Sequence, residues 1–176
     1  MSASLTHLIP SGELAPGQAA AIRNAAIDGV LAIVMKELKM PLTQLVVRDI
    51  SPDNDLDWST EDWFENTGST TGDYETMTTG TMADQRWVVI FGVKDDPTSP
   101  GNCSALKFNI GGSNRAIWQL QHLNELDGLV GFSPNPVVIP PNAPYTISRY
   151  VLRASVASHL VLKGVTIEPR GKLISP

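Results

Sequence analysis

Leu106-Lys107-Phe108-Asn109-Ile110-Gly111-Gly112-Ser113-Asn114-Arg115-Ala116-Ile117-Trp118-Gln119-Leu120 decides the fold class. Leu106, Phe108 and Ile110 alternate with Lys107 and Asn109, a period of two that puts the apolar side chains on one face of a strand. Gly111-Gly112-Ser113-Asn114 is read as the hairpin turn, its glycines free to take positive φ, and residues 115–120 return as a second strand. A hairpin with one apolar face predicts a half-buried antiparallel sheet.

The same pattern extends outward in both directions. Upstream, Trp87, Val89, Phe91 and Val93 are predicted to face one way along a strand. Downstream, strands are predicted over 128–132, 136–139, 145–152 and 159–168. They are separated by turns at Ser133-Pro134-Asn135, Pro140-Pro141-Asn142 and 154–158. Strands recurring every ~8–12 residues mark an antiparallel sandwich or barrel. Parallel strands would need crossovers of about a dozen residues, usually helical, and the one clear helix lies ahead of them all.

That helix is read over 18–40. Ile22, Ala26, Val30, Val34 and Leu38 recur every four residues, and Ile27 and Leu31 widen the stripe. Arg23, Asp28, Lys36 and Lys39 stay off its centre. Pro41 ends it by disfavouring helical geometry at Met40. Gly29 costs about 1 kcal/mol relative to Ala in mid-helix, so another backbone is expected close by. Residues 1–14 read as an arm or an edge strand, broken by Pro10 and Gly12. After Pro41 the period returns to two over 45–50. Residues 51–83 then form a polar, partly stranded excursion that carries Trp58, Trp63, Phe64 and Tyr74. The expected organisation is therefore an N-terminal arm and helix over 1–41 and a β-sandwich over 42–176.

The 176 residues are 42% hydrophobic and 18% charged, which suits one domain with a real core and excludes a mainly disordered chain. The net charge of −5 argues against a nucleic-acid partner. No membrane partner is expected, because the longest apolar run, residues 29–35, falls far short of the ~20 residues of a span. Residues 1–14 lack the basic start and apolar stretch of a secretory signal.

Candidate chemistry is sparse. The lone Cys103 forbids a disulfide within the chain and reads as a small apolar residue beside a turn at 100–102, not as a nucleophile. Asp53, Asp55 and Asp57 alternate like calcium ligands. Trp58 stands where the turn glycine belongs, however, and Phe64 where the bidentate glutamate belongs, so a solvated acidic loop is expected and no metal. His7, His122 and His159 have no partners at zinc spacing. No Gly-x-Ser-x-Gly elbow or phosphate loop is present. No catalytic residue and no cofactor is therefore assigned, and the chain is not read as an enzyme. Trp87 and Trp118 fall in alternating strands and read as core, whereas Trp58 and Trp63 are candidate contact residues. Ile22, Val30 and Val34 join them, because the helical stripe must be covered by something.

The segment from Trp87 to Gly171 carries a resemblance. Its marks are the Trp87–Val93 strand, Leu106 to Gly112, Ile117-Trp118-Gln119-Leu120, Val130-Gly131-Phe132, Pro136-Val137-Val138, and the run from Leu160 to Gly171. This pattern, about half the chain, resembles the jelly-roll capsid decoration (cement) proteins of tailed bacteriophages. The resemblance implies an all-β antiparallel jelly-roll sandwich with one N-terminal helix. It also implies a homotrimer bound to the major capsid protein on the outer surface of the virion, made in the host cytoplasm and doing no chemistry. The alternative is a carbohydrate- or receptor-binding jelly-roll module of a phage tail or head fibre.

Overall fold

Among the described residues, two helices and eleven strands follow one another as β1 (Ser4–His7), β2 (Ile9–Pro10), α1 (Gln18–Leu38), β3 (Leu45–Asp49), α2 (Pro52–Leu56), β4 (Phe64–Glu65), β5 (Asp73–Thr81), β6 (Trp87–Asp95), β7 (Cys103–Ile110), β8 (Ser113–Gln119), β9 (Val130–Ile139), β10 (Pro144–Val151) and β11 (Ser158–Pro169). The structure, a computed structural model, describes residues 4–58, 63–65, 71–95, 102–124, 130–156 and 158–172. The expected turn at 100–101 and the start of the strand expected at 128 lie outside them.

The strands form two sheets. One has the order β1-β8-β7-β10-β5 and the other β2-β9-β6-β11-β3, with β4 pairing the start of β11. The β7–β8 hairpin turns as its sequence requires, with Gly111 and Gly112 at φ 61° and 74° and Ile110 opposite Ser113. Pairing is antiparallel except where β1 runs parallel to β8, which departs from the wholly antiparallel expectation. Residues 8–112 separate the two strands, far more chain than the crossover of about a dozen residues that a parallel pair needs.

Two cores result. Leu106, Phe108, Trp118, Ile139, Ile147 and Leu160 fill the space between the sheets, where Phe108 and Trp118 meet edge-on with centroids 4.8 Å apart. A second core lies on the outer face of the β6-containing sheet. There Ala26, Ile27, Val30 and Val34 of α1 pack on Leu45, Trp87, Val89, Phe91, Val165 and Ile167. Strand β6 is covered on both faces, which is why its run of apolar residues does not alternate with polar ones. Trp87, Val89 and Phe91 share the outer face as expected, but Val93 points into the inter-sheet core. Register shifts opposite Ile90–Gly92 and between Lys163 and Gly164 change the alternation at that point.

Two further expectations are corrected, and one left open is decided. The turn at 133–135 is a bulge inside the continuous strand β9, where the Ser133 hydroxyl donates to the Asn135 carbonyl and accepts from its N–H. Pro134 and Pro136 fit there because a bulge does not need their missing N–H groups. Of the two readings of residues 1–14, an arm or an edge strand, residues 4–10 take the second. They add an edge strand to each sheet, and Leu8 between them is buried in the inter-sheet core. Gly29 meets no neighbouring backbone within the chain, since a Cβ placed there would find nothing within 4 Å.

Candidate functional site

The sequence-derived contact residues fall in two places. Val30 and Val34 are buried in the chain's own outer core, and Ile22, two turns before Val30 on α1, is half-buried. The stripe is thus covered from within the molecule. Trp58 and Trp63 come together, edge to face with centroids 5.4 Å apart, but Trp58 is only 5% exposed. Only Trp63 reaches a surface, half-buried beside the core.

That surface is a cleft of about 330 Å³ between the N-terminal half of α1 and the outer face of the sheet. Its aromatic lining is Trp63, Phe91 and Phe132, and its charged groups are Arg23 from α1, Asp49 from the end of β3 and Lys163 from β11. Gly92 lies between two of the lining residues. Phe132 and Lys163 both lie opposite it, one on each neighbouring strand. A Cβ at Gly92 would stand 3.3 Å from the Phe132 ring and 2.7 Å from the Gly131 carbonyl, so no side chain fits there. Among the described residues no hydrogen bond or ion pair engages the side chains of Arg23, Asp49 or Lys163. Sequence reading missed this constellation. Arg23 read there as lying off the helical stripe, and Lys163, Phe91 and Phe132 only as members of strands. Only the register around Gly92 brings them together.

The acidic stretch is not a solvated loop. Asp55 is buried and holds a bidentate contact to Arg48 at 2.6 and 2.7 Å. Glu168, also buried, accepts from Arg48 Nε at 3.0 Å and from Arg86 Nε at 2.9 Å. Arg86 closes the ring on Asp55 at 3.3 Å and donates to the Asn54 carbonyl at 2.7 Å. Two carboxylates and two guanidiniums cancel in charge and clamp α2 to β3 and β11. Arg48 is held more firmly protonated than usual, chiefly by its hydrogen bond to Asp55. Asp53 instead accepts from Ser51 and Asn54, and Asp57 from the Tyr145 hydroxyl at 3.2 Å. The three aspartates therefore aim at different partners. No group of three or more His, Cys, Asp or Glu side chains that could hold a metal occurs among the described residues.

Cys103 is buried, its thiol donating to the Ala105 carbonyl at 3.3 Å. Burial, with the nearby Asp95 charge, pushes its pKa up to about 12, which leaves no thiolate near neutral pH. Trp87 and Trp118 are buried in the outer and inter-sheet cores respectively. Comparison with known protein families and with curated proteins finds no match to this chain.

Proposed function

We propose that the chain is a capsid decoration protein with a jelly-roll fold, bound to the outside of the major capsid lattice as a trimer and stabilising it. The observation that carries this reading is the path of the chain. Leaving aside the two-residue β4, the order β3-β11-β6-β9 faces β5-β10-β7-β8. From β3 to β11 every connection passes to the other sheet except the β7–β8 hairpin. Two interleaved Greek keys of eight strands run this way in a jelly roll. This path supports the same architecture that the resemblance of residues 87–171 implies.

The chemistry of the interior agrees with a structural role. The buried carboxylates Asp55 and Glu168 are spent on arginines, and the one thiol is buried and protonated. Attachment to a lattice relies instead on contact area distributed over the surface. The direct test is co-sedimentation of the purified protein with capsids assembled from its own major capsid protein. Saturable retention in the capsid pellet supports the reading, and protein left in the supernatant at every concentration overturns it.

A further inference from the structure

We propose that the cleft between α1 and the outer sheet face binds a sugar that carries a carboxylate, such as a uronic or sialic acid residue of a polysaccharide. Its volume of about 330 Å³ lies at the lower end of the range for small-molecule sites, roughly 300–1,000 Å³. Half-buried Trp63 and Phe132 offer apolar surface to the C–H face of a pyranose, and Phe91, buried in the outer core, forms only the floor.

The charged groups narrow the ligand further. Inside the fold charges are paired, as in the Arg48–Asp55–Arg86–Glu168 ring and the Arg149–Glu75 pair, whereas surface charges such as Lys36 and Arg115 stand alone among the described residues. Around the cleft, Arg23, Asp49 and Lys163 come from three separate elements and engage nothing among the described residues. Two cations against one carboxylate leave a net charge of +1 on a chain of net charge −5, so the cleft favours an anion. A guanidinium matches a carboxylate with two parallel hydrogen bonds. Asp49 works against a compact multivalent anion such as phosphate, yet it can accept hydrogen bonds from hydroxyl groups. A ring with hydroxyls and one carboxylate satisfies all three charges and the aromatic lining together.

The test is titration of the full chain with galacturonate, glucuronate and N-acetylneuraminate, followed by tryptophan fluorescence and calorimetry. Galactose and inorganic phosphate serve as controls. At least one acidic sugar is expected to bind saturably, with galactose and phosphate weaker by about tenfold or more. Arg23→Ala and Lys163→Ala, both at surface positions, are each expected to weaken that binding about tenfold while leaving the melting temperature unchanged. The proposal is overturned if none of the three acidic sugars binds, if galactose or phosphate binds as tightly, or if both variants bind like the parent. Capsid co-sedimentation is read separately, so failure here leaves the decoration reading standing.

Discussion

Burial holds the Cys103 thiol neutral, and that has a consequence for stability at high pH. Its pKa rises from an ordinary value of 9.0 to about 12 in the fold. Below pH 9 both folded and unfolded chains keep the proton. Between about 9 and 12 the unfolded chain loses it while the folded chain retains it, so stability falls as pH rises through that window. Tyr145, raised by burial and by the Asp57 charge, adds to the same alkaline loss. Urea denaturation at stepped pH should show the decline beginning near pH 9, and Cys103→Ala should make it shallower. A thiol reagent at about pH 8 should label Cys103 only after unfolding. Asp55 carries a second prediction. Asp55→Ala leaves Arg86 buried beside one carboxylate instead of two, and removing one member of a buried charge set costs about 3–5 kcal/mol. The low end is expected because Arg48 still reaches solvent, and the urea midpoint measures it. At this scale the sequence was legible for apolar residues and poorly so for charges. Trp118 in an alternating strand announces a core position. Asp55 in a run of aspartates looks solvated, and only its distant partners Arg86 and Arg48 make it internal.

The helix shows which part of an element can be read from periodicity. The four-residue spacing from Ile22 to Leu38 identified α1 and its apolar stripe, but not what covers that stripe. In the fold the cover is the outer face of the sheet, and Val34 is 0% exposed while its neighbour Ile33 is 50% exposed. Val34→Ala should therefore cost about 2 kcal/mol through lost burial and a residual cavity. Ile33→Ala should change stability by less than about 0.5 kcal/mol, as surface substitutions usually do. Equal losses in thermal or urea unfolding would contradict the packing of α1 on this sheet. The β7–β8 hairpin was legible because Gly-Gly marks a turn, but Ser113 and Asn114, read as part of that turn, already belong to β8. Strand β9 was not. Ser133-Pro134-Asn135 carries the residues of a turn, and the hydrogen bonds of Ser133 turn them into a bulge instead. That bulge lies next to Phe132, which lines the cleft.

Across the whole molecule, the number and spacing of strands predicted two sheets, while the order of strands within each sheet is a property of long-range pairing that no local pattern encodes. The N-terminal residues illustrate the gap. Read locally, 1–14 are an arm or an edge strand, with no sign of which sheet they would join. In the fold, β1 and β2 close one edge of each sheet and Leu8 enters the core between them. The cleft was illegible for the same reason, since Arg23, Asp49, Trp63 and Lys163 lie far apart in sequence and meet only through topology. The central claim, attachment to the outside of a capsid, is tested most directly by an electron-microscopic reconstruction of capsids incubated with the purified protein. The account predicts added density on the outer surface, arranged as trimers and fitted by the two-sheet sandwich with α1 on its outer face. Capsids that gain no density, or density confined to the tail or a head fibre, would contradict it.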